Sequence, residues 1–286
     1  MTIESGALYV VATPIGNLED ISARALRILR EVNCIAAEDT RHTGQLLRHF
    51  GIETPLLSLH EHNERERLAT LITRLREGQA LALVSDAGTP LISDPGFALV
   101  RELRRQGLQV IPVPGASSLL AALSVAGLPT DRFAFEGFLP ARSAARQECL
   151  RALAREERTL VFFEASHRIA ETLADLAAVF GGERPAVIAR ELTKRFEEIQ
   201  GATLSELTVW LAADPKRQKG EFVLVTQGAP AATETDTLET RRLLTALLAE
   251  LPTSRAVAVV AKVTGLRKKP LYELALTLGG QREPEP

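Results

Sequence analysis

The sequence predicts an α/β protein that ends in a small all-helical domain. Up to residue 227, short apolar runs alternate with amphipathic segments of helical period, which is the pattern of βαβ units around a mostly parallel sheet. Segments rich in Gly and Pro follow several of these runs, where a strand must end. Beyond a polar stretch at residues 228–237, only helical patterns remain.

The first half of the α/β region has five apolar runs that predict strands at residues 7–12, 34–37, 56–59, 80–84 and 109–113. Apolar residues that recur on one helical face predict helices at residues 21–31, 63–77 and 97–106. Gly78 and Gly107 follow the last two helices, as is common at helix C-termini. A turn-rich segment then separates this half from the next, so we expect a first domain at residues 1–116.

The second half predicts strands at residues 133–137, 159–163, 186–190, 196–201 and 222–227. Helices are predicted at residues 144–155, 168–180 and 204–213. Thr203 and Glu206 have the spacing of a capping box at the start of the last helix. We expect the strands at residues 196–201 and 222–227 to pair antiparallel in a mixed sheet, within a domain at residues 117–228.

The tail, at residues 229–286, begins with a linker rich in Ala, Thr, Pro and acidic residues. Helical patterns follow at residues 238–251, 254–263 and 268–278. The last two have the spacing of a helix-turn-helix, and Arg267, Lys268 and Lys269 stand at the start of the second. This pattern predicts contact with nucleic acid, with packing or dimerisation as the alternative.

Composition sets broad limits on the class of protein. The chain has 286 residues, of which 45% are hydrophobic and 24% charged, and its net charge is -2. That charge does not by itself indicate nucleic-acid binding, although local basic patches remain compatible with it. Cys34 and Cys149 are too few for a disulfide framework, so we expect a cytoplasmic protein. The N-terminal segment lacks the pattern of a signal peptide, and no apolar run reaches the ~18 residues of a membrane span.

Several familiar catalytic and binding motifs are absent from the sequence. It has neither the G-x-G-x-x-G of a dinucleotide fold nor a P-loop, and residues 115–118 (GASS) do not form a G-x-S-x-G elbow. His60 and His62 flank Glu61 but lack the H-E-x-x-H spacing of a zinc site. We therefore expect no metal, and favour a hydrated junction between a strand and a helix there.

The most informative segment is SDAGTPLISDPG at residues 85–96, which directly follows an apolar strand. In open α/β sheets, ligands bind just beyond the carboxyl ends of strands. Gly88 allows backbone N–H groups to approach a ligand, and Asp86 offers an acceptor. The segment therefore predicts a site for a small, polar and partly charged molecule; a plain connection is the alternative.

Other strand-end segments are TPIGN at residues 13–17, AAEDTRHT at 36–43, PGASS at 114–118, FFEASHR at 162–168, ARELTK at 189–194 and KGEF at 219–222. The segment at residues 36–43 concentrates Glu38, Asp39, Arg41 and His42 after a buried strand, and we expect it to be a functional loop. A solvated face or an ion pair that fixes the loop is the alternative.

The segments TPIGNLEDIS, AAEDTRHT, LVSDAGTPLISDPG, VPGASS, FEASHR, ARELTK and KGEFVLV, in this order, closely resemble the ribosomal RNA small subunit methyltransferase I group of the tetrapyrrole methylase superfamily. The resemblance extends from about residue 8 to residue 227 and more loosely into the tail. It implies two α/β domains with mixed sheets, S-adenosylmethionine in the cleft between them, and a homodimer. It also implies methylation of the ribose 2′-hydroxyl of a cytidine in 16S ribosomal RNA.

The resemblance also assigns site residues. It implies donor contacts at Pro14, Asp86, Gly88, Thr89, Leu91, Ser117, Ser118, Phe163, Leu192, Gly220 and Glu221. Because the ribose hydroxyl must lose its proton, Asp39 and Glu38 are the candidate general bases, and His42 is the second choice. We expect RNA contacts at Arg41, His42, Arg267, Lys268 and Lys269. Further basic candidates are Arg101, Arg104, Arg105, Lys194, Arg195 and residues 216–219.

The sequence departs from small-molecule members of the superfamily in its first and third loops. These members have a glycine-rich first loop and a Gly-Asp-Pro third loop, whereas this chain has TPIGN and SDAGTP. The departure puts a tetrapyrrole substrate in doubt. A small-molecule methylase and a non-catalytic, donor-sensing regulator that binds nucleic acid through the tail are the alternatives.

Overall fold

A computed structural model describes residues 3–60, 63–230 and 238–279. Contacts divide the chain into one unit at residues 1–227, which contains both sheets, and a second at residues 228–286. In the described ranges, no helix is both long and apolar enough to cross a membrane.

The first sheet contains the strands β1 (Ala7–Val11), β2 (Cys34–Ala37), β3 (Leu56–Ser58), β4 (Leu81–Val84) and β5 (Gln109–Val113). All of its strand pairs are parallel, in the order β3-β2-β4-β1-β5. Its helices are α1 (Ala23–Glu31), α2 (Thr40–His49), α3 (Glu64–Arg76) and α4 (Phe97–Arg105). Every predicted strand of this half is confirmed to within one residue at either end.

Both faces of this sheet are covered, which explains why its central strands are continuous apolar runs. Leu81 and Leu83 of β4 pack in a cluster that includes side chains of α3 and α4. Ala82 and Val84 point to the opposite face and pack in a cluster with α1. The carboxyl ends of all five strands therefore meet at one edge, where their loops can share a site.

The second sheet contains β6 (Phe133–Phe138), β7 (Thr159–Ala165), β8 (Pro185–Arg190), β9 (Glu198–Thr203) and β10 (Glu221–Thr226). Their order is β6-β7-β10-β8-β9, and only β6 and β7 are parallel neighbours. The helices α6 (Ser143–Leu153), α7 (Ile169–Phe180) and α8 (Leu204–Ala212) contribute to the core on one face. Helix α5 (Ser118–Val125) packs against the other face. The sheet is mixed, as predicted.

The predicted pairing of the strands at residues 196–201 and 222–227 is wrong. Both strands, β9 and β10, lie beside β8 and are antiparallel to it, so they do not pair with each other. The reason is burial: β10 is buried along five of its six residues, whereas β9 has none that is fully buried. The apolar strand takes the centre of the sheet, and the polar strand takes the edge.

Two helices were not expected. Residues 36–43 are not a loop throughout, because α2 begins at Thr40 with Asp39 as its N-cap. Helix α5 likewise begins at Ser118, with Ser117 at its N-cap position. The capping box of Thr203 and Glu206 at α8 is confirmed, with both reciprocal hydrogen bonds present.

The tail consists of α9 (Leu238–Glu250), α10 (Thr253–Thr264) and α11 (Lys268–Gly279). Leu244, Val257, Val260 and Leu271 form its buried core. Gly265 ends α10 in the left-handed conformation, at φ 75°, which favours glycine at this position. The predicted linker lies mostly outside the described residues.

A buried ion pair joins α6 to α7. The Arg146 side chain is fully buried, and its Nε donates to Asp175 Oδ2 at 2.6 Å. The guanidinium also donates to Glu171 at 3.3 Å and to the carbonyl oxygens of Pro140 and Ala141 at 3.4 Å and 3.3 Å. A charge buried in this way depends on its partners, because no water replaces them.

We expect Arg146→Met to lower the free energy of unfolding by about 3 to 5 kcal/mol, because it leaves the Asp175 carboxylate buried without its cation. Urea denaturation followed by fluorescence of Trp210, the single tryptophan, measures this. Arg151→Met removes an exposed arginine of the same helix and should change stability by less than about 0.5 kcal/mol. Equal losses in the two variants would contradict the role of the ion pair.

Candidate active site

A cavity of about 400 Å³ lies at the carboxyl ends of the first-sheet strands, and its volume suits a small-molecule ligand. Segments that follow these strands line one side with Ile15, Glu38, Asp86, Ala87, Gly88, Thr89, Ile92, Ser93, Asp94, Ser117 and Ser118. The second sheet and its loops line the other side with Phe138, Phe163, Glu164, Ala165, Ala189, Leu192, Glu221, Phe222 and Val223. The cavity therefore lies between the two sheets.

Backbone hydrogen bonds connect the loops on the first side. Gly88 N donates to the Thr13 carbonyl at 3.0 Å, and Thr13 N donates to the Gly88 carbonyl at 2.9 Å. Gly88 has φ 79°, and a Cβ there would lie 3.2 Å from Ile15 Cγ2. Thr89 Oγ1 donates to the Ala116 carbonyl at 3.1 Å. The loops that follow β1, β4 and β5 are thus held together beside the cavity.

Backbone strain is concentrated in two loops of the cavity wall. In the described part of the chain, the non-glycine residues with positive φ are Leu91, Ser93, Glu191 and Thr193, at 73°, 67°, 52° and 65°. The first two flank Ile92 and the last two flank Leu192, and both of these side chains line the cavity. Such conformations persist where the surroundings enforce them, and they cluster at functional sites.

The polar wall of the cavity is acidic. Five carboxylates line it, whereas none of the lining residues in the described ranges is Lys, Arg or His. Glu38, Asp86 and Asp94 lie on the first side, and Glu164 and Glu221 lie on the second. Glu38 Oε2 accepts a hydrogen bond from Asp86 N at 3.4 Å, and Asp86 Oδ1 accepts one from Asp39 N at 3.0 Å. This arrangement favours a ligand that carries positive charge and disfavours a phosphate.

Burial raises the pKa values of two of these carboxyls. Desolvation is the main cause at Glu38, and the nearby charges of Asp86 and Asp39 raise its pKa further. Desolvation also raises the pKa of Asp94 to about 6, against an opposing hydrogen bond with Ser85. Carboxyls of this kind are suited to accept a proton near neutral pH.

Asp39, one residue from Glu38, is in the opposite situation. Its Oδ1 accepts a hydrogen bond from Arg41 N at 2.8 Å, which caps α2. Its two oxygens also pair with the Arg41 guanidinium at 3.2 Å and 2.8 Å, and these hydrogen bonds lower the pKa of Asp39. Asp39, Arg41 and His42 are not among the residues that line the cavity.

The second side of the cavity has a cluster of aromatic rings and, beside it, two salt bridges of Lys194. The Phe163 ring meets those of Phe135 and Phe138 edge to face, with centroids 4.8 Å and 5.7 Å apart. Lys194 Nζ bridges Glu221 at 2.7 Å and Glu191 at 3.0 Å, which connects the strained loop after β8 to the start of β10.

The structure brings eight of the eleven predicted donor residues to the cavity. They are Asp86, Gly88, Thr89, Ser117, Ser118, Phe163, Leu192 and Glu221. Pro14, Leu91 and Gly220 are not among its lining residues. Gly220 has φ 101°, and a Cβ there would lie 2.5 Å from the Glu191 side chain. Glycine at this position is therefore explained by the turn before β10.

Sequence reasoning missed part of the lining, including Ile15, Ile92, Ser93, Asp94 and Phe138. Asp94 and its neighbours lie within the predicted segment at residues 85–96, but the pattern gave no way to tell which side chains face inwards. No cluster of metal ligands occurs among the described residues. Glu61 and His62, which bear on the metal question, lie outside them.

The tail has an open groove of about 590 Å³ lined by Ser254, Val257, Lys268, Lys269, Tyr272 and Glu273. Lys268 and Lys269, two of the three tail residues predicted to contact RNA, therefore line one groove of this unit. Arg267 immediately precedes α11 and is exposed.

Family models match most of the sequence. The Tetrapyrrole (Corrin/Porphyrin) Methylases match at residues 7–208, and the RsmI C-terminal HTH domain matches at residues 234–279. The crystal structure of diphthine synthase has a TM-score of 0.58 at 19% identity, over 78% of this chain and 90% of that one. Uroporphyrin-III C-methyltransferase from Thermus thermophilus, complexed with S-adenyl homocysteine, has a TM-score of 0.52 at 22% identity, over 77% and 96% of the two chains. The family match, together with the two sheets, assigns the chain to the tetrapyrrole methylase class.

Relatives of much higher identity define the group within this class. Ribosomal RNA small subunit methyltransferase I of Pseudomonas aeruginosa is 57% identical over 98% of this chain and 100% of its own length. The protein of that name from Escherichia coli O157:H7 is 52% identical over 96% of both chains, and that from Synechocystis sp. is 48% identical over 96% and 98%. The chain belongs to the ribosomal RNA small subunit methyltransferase I family, which confirms the predicted resemblance.

The half-buried carboxyl of Asp94 makes stability depend on pH. The pKa of Asp94 in the folded chain, about 6, exceeds its usual value of 3.8. As pH rises between these values, the carboxyl ionises more readily in the unfolded chain than in the folded one, and the free energy of unfolding therefore falls. We therefore expect Asp94→Asn to raise the melting temperature relative to the parent more at pH 7 than at pH 4, as measured by calorimetry.

Asp39→Asn provides the opposite case, because the pKa of Asp39 is lowered and its anion is stabilised in the folded chain. This variant should not gain stability over the parent at pH 7. A gain for Asp94→Asn that is the same at both pH values would show that the carboxyl is not desolvated as described.

Proposed function

We propose that this chain transfers a methyl group from S-adenosylmethionine to the ribose 2′-hydroxyl of a cytidine in 16S ribosomal RNA, in the cytoplasm. The observation that carries the proposal is a cavity of about 400 Å³ with five carboxylates and no cationic side chain among its described lining residues. The names of relatives at 48% to 57% identity support small-subunit ribosomal RNA as the substrate. Their full-length similarity argues against a small-molecule methylase.

The lining residues suit the parts of this donor. When bound, it supplies an electrophilic methyl group on a positively charged sulfur. Glu38, Asp86 and Asp94 favour that positive charge and that of the amino group. Ser117 and Ser118, at the N-terminus of α5, offer backbone N–H groups to a carboxylate. Phe163, Leu192 and Val223 provide apolar surface for an adenine ring.

The acceptor hydroxyl needs a group that removes its proton, and we propose Glu38 for this role rather than Asp39. Glu38 lines the cavity and has a raised pKa, whereas Asp39 is engaged by Arg41. Much of the remaining acceleration would come from holding the reactants in line. Arg41 is exposed beside this wall, where its guanidinium can contact an RNA phosphate.

We expect Glu38→Gln to lower the single-turnover rate of methylation about a hundredfold, because the amide cannot accept the proton. Donor affinity should fall less than tenfold, since Asp86 and Asp94 remain in the cavity. The parent rate should rise with pH through the pKa of Glu38, and this rise should be missing from the variant. Quenched single-turnover reactions and calorimetry measure the two effects.

Asp39→Asn is the matched control, since asparagine also caps helices well. It should retain the rate within a few-fold. A hundredfold loss in this variant with a normal rate in Glu38→Gln would reverse the two assignments.

The helical tail is the second part of the proposal, as a surface for the large substrate. Arg267, Lys268 and Lys269 are exposed at the start of α11, and two of them line the groove of this unit. Their positive charge matches a phosphate backbone. A homodimer remains part of the proposal, as the resemblance implies.

Replacing Arg267, Lys268 and Lys269 together by Gln should weaken small-subunit binding and leave donor affinity unchanged. The salt dependence of log K should flatten by about 0.7 to 0.9 for each RNA phosphate that the tail no longer neutralises. A control with the same change of charge replaces Arg242, Arg255 and Lys262, which are exposed elsewhere on the tail. If log K for subunit binding has the same salt dependence in both triple variants, the start of α11 makes no specific contact with RNA.

The overall proposal is tested with radiolabelled donor and under-methylated small subunits. Label in one cytidine ribose of 16S RNA is the expected result. Donor binding without transfer to RNA would instead favour a donor-sensing regulator, and transfer only to small molecules would favour the other alternative.

A further inference from the structure

Two phenylalanine rings are exposed although each has an arginine stacked on it. Phe97 and Phe196 are 63% and 64% exposed. The Arg101 guanidinium carbon lies 5.2 Å from the centroid of Phe97, and that of Arg195 lies 5.6 Å from the centroid of Phe196. A comparable contact of Arg184 involves Phe180, which is only 7% exposed and belongs to the core. The exposed pairs are therefore not part of a core, and most of each ring is accessible to a partner.

Both pairs are close to the cavity along the chain. Phe97 is three residues after Asp94, and Phe196 is four residues after Leu192, so their Cα atoms lie within about 11 Å and 15 Å of a lining residue. Each pair follows one of the two strained loops. One loop belongs to the first sheet and the other to the second, so each side of the cavity has one such pair.

The arginines of these pairs have charge available for a partner. Within the described ranges, neither Arg101 nor Arg195 forms a salt bridge with a carboxylate, although the charge of Arg101 helps to lower the pKa of Glu102. Neighbouring cations do form salt bridges. Arg105 pairs with Glu102 at 2.6 Å, and Lys194 pairs with Glu221 at 2.7 Å. An exposed ring beside an unpaired guanidinium offers a stacking surface and a phosphate contact together.

We propose that Phe97 with Arg101 and Phe196 with Arg195 are two platforms for unpaired RNA nucleotides on either side of the target. Each ring stacks on a nucleobase, and each arginine contacts the adjacent phosphate. This inference rests on the proposed function, and it adds the residues that hold the RNA in an extended, unpaired form at the cavity. The acidic cavity wall would repel the phosphates, so contacts of this kind are needed beside it.

The test uses the full chain with the variants Phe97→Ala, Phe196→Ala and the conservative Phe196→Trp. Each alanine variant should weaken binding to under-methylated small subunits about fivefold or more, with donor affinity unchanged. Phe196→Trp should bind like the parent because the indole also stacks. Arg101→Met should flatten the salt dependence of log K by about 0.7, whereas Phe97→Ala should leave it unchanged.

Val209→Ala is the matched control, because Val209 is 70% exposed on α8 without a stacked arginine. Alanine variants that bind as the control does, in a parent that methylates normally, would overturn the platforms and leave the proposed function standing. A parent that neither binds nor methylates small subunits would overturn both. Sedimentation that shows a parent dimer converted to monomer in Phe97→Ala or Phe196→Ala would assign the rings to an interface between copies and also overturn the platforms.

Discussion

The pair of backbone hydrogen bonds between Thr13 and Gly88 is the contact on which the first side of the cavity depends. Parallel strands bring their loops to one edge but do not fix how those loops meet. Here the hydrogen-bonded bridge between Thr13 and Gly88 joins the loops after β1 and β4. The hydrogen bond from the Thr89 hydroxyl to the Ala116 carbonyl connects the loop after β5 to them. Glycine permits the bridge, because position 88 has a positive φ and a Cβ there would lie only 3.2 Å from Ile15 Cγ2.

Charge is separated in a way that suits a cationic donor and an anionic acceptor. The described lining residues of the cavity include carboxylates and no cation. Arg101 and Arg195, which form no salt bridge with a carboxylate among the described residues, are exposed on the segments that follow the two strained loops. A net charge of -2 for the whole chain conceals this division, because it averages an acidic interior wall and basic exterior positions.

The sequence was sufficient to predict the strands, and the segments that it singled out supply most of the cavity lining, because apolar runs and Gly-Pro segments have local causes. The strand order of the second sheet could not be predicted. There the apolar strand β10 lies at the centre, because both of its faces are buried, and β9 lies at the edge. The sequence also left Asp94 and Phe138 unrecognised. Which side chains of an irregular segment face a cavity depends on contacts with the other sheet, and those contacts have no local pattern.

Glu38 and Asp39 are neighbouring carboxyls whose pKa values shift in opposite directions because their surroundings differ. Sequence reasoning treated the two carboxyls together, since both follow β2. The end of β2 directs Glu38 to the desolvated cavity wall, where its pKa rises. One residue later the chain enters α2, so Asp39 caps the helix and binds Arg41, and its pKa falls. Because a general base must be able to take up a proton, the helix start at Thr40 is what separates the carboxylate that caps α2 from the one that we propose as the base.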